Sequence, residues 1–143
     1  MDHVAIMKKS WKFTDKILSG EKTIESRWYM QKYKPWDSIC IGENIYFKNS
    51  GEPVIIRAEA MKVMQFSNLN PGKVKEILNK YGKADGIGKD KFGGFFKIFK
   101  NKKYCILIFL KNTKKIKPFE IDKKGFGAMS AWLTVNNINK IKS

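Results

Sequence analysis

The stretch from Ser10 to Trp28 constrains the fold more than any other part of this chain. Trp11, Thr14, Ile17 and Leu18 recur at helical spacing, Ser10 stands where an N-cap belongs, and Gly20 supplies a left-handed stop. The pattern predicts a helix over about residues 11–18. From Thr23 the period becomes that of a strand, with Ile24 and Trp28 on one face and Thr23, Glu25 and Arg27 on the other. A strand therefore follows the helix directly, and its apolar face must enter a core.

The remaining elements are read in the same way. Val4 to Met7 is a short apolar run that fits a buried strand. Residues 29–43 hold aromatic side chains, Pro35 and Gly42 without a period, which predicts a long loop of the kind that often carries function. Asn44 to Lys48 and Val54 to Val63 predict a hairpin around Asn49-Ser50-Gly51-Glu52. Asn70-Pro71 opens a helix whose stripe is Val74, Ile77, Leu78 and Tyr81 and which Gly82 ends. Asp90 stands to cap another helix faced by Phe92, Phe95, Phe96 and Phe99, although Gly93 and Gly94 each weaken it by about 1 kcal/mol. The apolar run Tyr104 to Leu110 and the more polar Lys111 to Phe119 predict two further strands, and the tail from Gly125 shows no repeat.

There are no internal repeats and no linker, so one domain over residues 1–143 is expected, with 43% hydrophobic residues enough for one core. The start has no basic segment ahead of an apolar run, and nothing approaches the roughly 18 apolar residues of a membrane span. A soluble, cytoplasmic protein is expected, with no membrane partner. Cys40 and Cys105 have neither metal-ligand spacing nor disulfide density, and both read as reduced thiols, Cys105 in the core.

The formal charge of +16 points to a polyanionic partner, since lysines that neutralise phosphates release condensed counterions. It is concentrated in residues 72–124, where sixteen basic residues face five acidic ones. A coding bias toward lysine, isoleucine and asparagine is the competing account of such an excess. Among the 29 basic residues only Arg27 and Arg57 are arginine. A planar, permanently charged fork recognises carboxylate, phosphate or a base edge in ways an ammonium does not.

The strand around Arg27 is the chemical centre. Residues two apart on a strand lie about 6.6 Å apart on one face, so Glu25 and Arg27 sit side by side with Thr23 flanking them. Lys22 stands at the helix–strand junction, from which it reaches the rim of a cleft if the polar face turns inward. If the face turns outward, the pair is a surface ion pair worth well under 1 kcal/mol. After it, Trp28, Tyr29, Tyr33 and Trp36 interleave with Lys32 and Lys34, the combination that stacks on unpaired bases and meets phosphates. Closing one end of a barrel is the competing role, above all for Trp28 and Trp36. Ser130 and Trp132 come late in the chain and by position line the same cleft.

Other chemistry is sparse. His3 is the only histidine, which excludes a histidine-pair ribonuclease, and it reads as an ordinary strand residue. No carboxylate cluster has metal-site spacing, so no metal or cofactor is expected. Asp85-Gly86-Ile87-Gly88-Lys89 lacks the context of a phosphate loop and reads as a mobile loop whose lysines approach a phosphate backbone.

The octapeptide Gly20-Glu21-Lys22-Thr23-Ile24-Glu25-Ser26-Arg27 resembles the G-x-K-x-x-E-x-R signature of the ASCH domain, a branch of the PUA-like superfamily, and Gly20, Lys22, Glu25 and Arg27 all match. The resemblance implies an α+β fold, a small mixed β-barrel with peripheral helices. It also implies a cleft where the motif's polar residues meet RNA, a nucleotide or a modified base. A branch of that family that hydrolyses acetylcytidine has a threonine nucleophile where this chain has Glu25, so that chemistry does not carry across. Other relatives are described as ribonucleases.

Two functions stay open at this stage. One is a binding module for RNA or a modified nucleotide, with Lys22, Thr23, Glu25, Arg27, Tyr29, Tyr33 and Ser130 at the site, Lys22 meeting phosphate and Glu25 accepting from base or ribose. The other is an enzyme, a ribonuclease or nucleoside amidohydrolase, with Lys22 and Glu25 as acid–base groups. A protein-interaction adaptor would instead expose a large apolar patch. The oligomeric state is not legible.

Overall fold

A computed structural model describes residues Met1–Ser143. There are six strands, β1 (Asp2–Met7), β2 (Ile24–Tyr29), β3 (Asn44–Asn49), β4 (Val54–Phe66), β5 (Tyr104–Phe119) and β6 (Trp132–Val135), and three α-helices, α1 (Phe13–Ser19) between β1 and β2, and α2 (Pro71–Tyr81) and α3 (Phe92–Phe99) between β4 and β5. The strands form one sheet in the order β2-β5-β4-β3-β1-β6, curled into a half-barrel. Only β1 and β3 run parallel. The fold is α+β, as expected.

The helix–strand unit at the start is retained with one change at its entry. Lys9–Trp11 form a 3-10 turn and Lys12, at φ 59°, begins α1, so Ser10 lies inside the turn and caps nothing. Gly20 ends the helix at φ 83°, a left-handed value that costs a side-chain-bearing residue about 1–2 kcal/mol. In β2, Ile24 and Trp28 are buried as their parity requires. Each contributes on the order of 2 kcal/mol of apolar burial.

In α2, the Asn70 side chain accepts from the Lys73 amide, and Val74, Ile77 and Leu78 enter the core. Residues 89–91 are a 3-10 turn that feeds α3 directly, so Asp90 does not cap it, while Phe95 and Phe99 are buried as the spacing implied. The segments read as two strands from residue 104 to 119 are one strand, β5. Its apolar half lies between β2 and β4, whereas β2 ends its pairing at Phe109. The switch to polar residues at Lys111 marks the loss of a neighbour, with Asn112 at φ 52° and register shifts on β4 bending the strand there. Cys105 is buried and Cys40 exposed, and no helix is long and apolar enough to cross a membrane.

The two outer strands, β2 and β6, leave a gap in the half-barrel. Arg27 spans it from β2, donating through Nη1 to the Ala131 carbonyl (3.2 Å) and through Nη2 to the Ile6 carbonyl (3.4 Å). One side chain thus ties together edges that the backbone ladder does not join.

Candidate functional site

The site grows from the turn after α1. Thr23 and Ile24 both donate their amides to the Ala84 carbonyl, which brings residues 84–86 against the start of β2. The Lys22 side chain runs inward under Gly86, whose φ is +84°; a Cβ there would come within 3.1–3.3 Å of the Lys22 side chain. Lys22 Nζ then donates to the Asp85 carboxylate (2.5 Å) and the Asp85 carbonyl (2.6 Å), and lies 3.2 Å from Glu25 Oε1. It sits 4.3 Å from the centre of the Phe13 ring. Glu25 Oε2 accepts from Arg27 Nε (3.2 Å) and Nη2 (2.9 Å).

Asp85, Lys22, Glu25 and Arg27 therefore form a chain of alternating charge with no net charge. The side chains of Lys22 and Glu25 are 0% and 3% exposed. Ions so far from water are tolerated only when each is paired and hydrogen-bonded, a condition met here at every link. Ser26 Oγ extends the chain, donating to Asp85 Oδ2 (2.5 Å) and accepting from Trp28 Nε1 (3.0 Å). Burial pushes the Asp85 carboxyl up to about 6, outweighing the opposite pull of Lys22. A carboxyl in that range is half-protonated near pH 6.

Two adjacent hollows lie along the gap. The smaller, of about 250 Å³, has aromatic walls from Trp11, Phe13, Trp28 and Phe99, with Glu25 and Arg27 among its polar residues. Tyr29 and Ala131 also border a cleft of about 850 Å³ between Tyr29, Tyr33, Lys34 and the segment from Gly125 to Trp132. That segment is braced from within. Lys123 Nζ donates to the carbonyls of Ala128 and Ser130 (both 3.0 Å), and Ser130 Oγ donates to the Phe126 carbonyl. Beneath β6, His3 accepts at Nδ1 from Trp132 Nε1 (3.1 Å) and bonds Glu43 through Nε2 (2.9 Å). Burial lowers the His3 pKa, which keeps Nδ1 free to accept. No three His, Cys, Asp or Glu side chains gather as metal ligands would.

Neither protein-family models nor curated proteins give a match. Solved structures do. The ASCH protein from Zymomonas mobilis superposes with a TM-score of 0.68 at 17% identity, over 99% of this chain and 96% of that one. A variant of it gives 0.69 at 17% identity, over 97% and 91%. The fold is that of an ASCH domain. The N-terminal domain of Staphylothermus marinus McrB is more distant, with a TM-score of 0.50 at 16% identity over 82% of this chain and 75% of that one.

On this ASCH fold the residues singled out from the sequence separate into two groups. Glu25, Arg27, Tyr29, Tyr33 and Ser130 line the two hollows. Lys22 and Thr23 do not. Lys22 lies inside the wall, not on the rim, because two carboxylates and a carbonyl draw its ammonium inward. Thr23 precedes β2, is exposed, and turns its carbonyl to the Leu110 amide. Of the loop aromatics, Trp28 stacks on Phe99 at 4.7 Å and Trp36 packs edge-on against Tyr104, while Tyr33 is 56% exposed.

The residue that sequence reasoning missed is Asp85. The segment read as a mobile loop puts Asp85 and Ile87 into the interior and Gly86 over Lys22. No local pattern marks it, since its partners are sixty positions away.

Proposed function

We propose that this ASCH domain binds RNA or a modified nucleotide in the gap between β2 and β6. The observation that carries the reading is the pairing of an aromatic hollow of about 250 Å³ with a wider cleft that exposes Tyr33 and Lys34. The smaller hollow takes a base between rings, and the wider one takes the sugar and phosphate beside it. Arg27 serves as a fixed partner of Glu25 that holds the walls apart at a set width. Lys22 supports the wall from behind and does not touch the ligand.

Titrating ¹⁵N-labelled protein with single-stranded RNA and with nucleosides tests this. Shifts are expected at Tyr29, Tyr33 and residues 125–132, and Tyr33→Ala is expected to lose about 1–3 kcal/mol of affinity, the worth of one stacked base. Saturable binding that leaves those amides unmoved and survives Tyr33→Ala refutes the reading.

A catalytic role, ribonuclease or nucleoside amidohydrolase, is supported by one feature, the Asp85 carboxyl near 6 in contact with the Ser26 hydroxyl. Against Lys22 and Glu25 as the acid–base groups stands the engagement of both by buried partners. Turnover of RNA or an acylated nucleoside that vanishes in Ser26→Ala and Asp85→Asn, with folding intact, would favour it.

A further inference from the structure

The outer edge of β5 beyond Leu110 has no strand neighbour, because β2 pairs with Tyr104 to Phe109 and the Thr23 carbonyl takes the Leu110 amide. Along this free edge Lys111, Lys114, Lys115 and Lys117 are all exposed, with no acidic residue from 111 to 119 and no ion pair formed by any of the four. Lys114 and Lys115 are consecutive and in regular register with Arg57 and Ile56, so they point to opposite faces of the strand, and both reach solvent. Together with Thr113 they wall a groove of about 480 Å³ whose other side is the end of α1 at Ser19 and Gly20. Arg57 on β4 stands in register with Lys114, and its Nε is buried without an acceptor.

Lysines on an unpaired edge also guard against strand addition. That accounts for the four on β5 and leaves Arg57 unexplained. Arg57 lies inside the sheet, where a guanidinium N–H without an acceptor costs about 1–3 kcal/mol. No carboxylate lies within ion-pair distance of it. A half-buried guanidinium without a carboxylate partner favours an anion at the adjoining surface, and the exposed Lys114 in register with it adds to the attraction.

We propose that the free edge of β5, with Arg57 and the α1 groove, is a second contact surface that holds the phosphate backbone of a nucleic acid without reading its sequence. It rests on the cleft reading only for the length argument that follows. The groove is lined by Gly20, which precedes β2, and the cleft by Tyr29, the last residue of that strand, so the six residues of β2 lie between them and span roughly 20 Å. At about 3.4 Å per nucleotide of stacked strand, about six nucleotides span both. A mononucleotide fills the cleft alone, and strands longer than about six engage both surfaces.

The test measures binding of uridylate oligomers of one to twelve nucleotides by fluorescence anisotropy across a salt series. The proteins are the wild type, Tyr33→Ala, and a variant carrying Lys111→Gln, Lys114→Gln, Lys115→Gln and Lys117→Gln, whose exposed positions leave the core intact; circular dichroism checks its fold. For the twelve-nucleotide strand, losing four phosphate contacts should reduce the slope of log affinity against log salt by about 3. Affinity for the mononucleotide stays unchanged and the gain in affinity near six nucleotides disappears. An unaltered slope and length dependence in the lysine variant overturn the second surface, as does a failure of the twelve-nucleotide strand to bind the wild type at all. If the mononucleotide does not bind while the long strand does so in a lysine-dependent way, the cleft reading fails and the β5 surface stands.

Discussion

Removing the Lys22 ammonium tests the buried charge chain at its most exposed logical point. In Lys22→Met the side chain keeps its length and most of its volume, but Asp85 is left with only the Ser26 hydroxyl as a side-chain donor and Glu25 with Arg27. Breaking a buried pair from one side costs about 3–5 kcal/mol, because the remaining charge stays desolvated. The cost depends on pH, since Asp85 can shed its charge by taking a proton. In the native protein its pKa is already raised from 3.8 to about 6, and without Lys22, whose charge pulls it down, it rises further. A carboxyl raised on folding binds more protons in the native state than in the unfolded one, so stability falls as pH rises between the unfolded and folded values. In the wild type that fall amounts to about 3 kcal/mol between pH 4 and pH 7 from Asp85 alone.

Urea unfolding of the wild type and Lys22→Met at pH 5 and pH 8 reads the effect. The expected loss is about 3–5 kcal/mol at pH 8 and clearly smaller at pH 5, where protonated Asp85 leaves mainly the cost of lost hydrogen bonds, about 1–2 kcal/mol. Adding Asp85→Asn to Lys22→Met should restore stability at pH 8. A loss under 1 kcal/mol, or one equal at both pH values and unrelieved by Asp85→Asn, refutes the reasoning.

Four further outcomes follow from the same geometry. Arg27→Lys keeps the charge but cannot reach Glu25, Ala131 and Ile6 together, so a loss of about 1–3 kcal/mol is expected, with faster hydrogen exchange at the Ile6 amide, which bonds the Ala131 carbonyl. Gly86→Ala combines a left-handed backbone with a close approach to Lys22, and should lower the melting temperature through about 2–4 kcal/mol of strain and overpacking. Gly94→Ala in α3 meets nothing within 4 Å and should raise stability by up to about 1 kcal/mol in the same thermal scan. Because burial lowers the His3 pKa, the unfolded chain binds the proton more readily, and His3→Gln should flatten the loss of stability seen as pH falls through the histidine range near 6.5.

Much of the fold was legible because its signals are local. The Asn70 cap, the α2 stripe and the parity of Ile24 and Trp28 against Glu25 and Arg27 each depend on residues within a turn or two. The errors also share a cause. Ser10 and Asp90 are good caps in isolation, but in both places a 3-10 turn feeds the helix and uses the backbone differently. The polar switch at Lys111 looked like a chain break because sequence carries hydropathy without revealing that β2 ends alongside Phe109. At the site, the pairing of Glu25 with Arg27 could be read from strand parity, whereas the inward turn of Lys22 depended on Asp85, which no spacing links to it.

The sequence by itself determined the helix that stops at Gly20, the strand that follows, and the side-by-side placement of Glu25 and Arg27, since torsional preference and side-chain period act over a few residues. Tertiary structure alone decided the rest. It brought Asp85 under the start of β2 and withdrew Lys22 from solvent. It also left β2 and β6 unpaired with each other, so that the Arg27 side chain spans a gap lined with rings. The physical reason is that desolvation belongs to a place in space and not to a residue: whether a charge is a surface contact or a buried strut depends on which distant segment covers it.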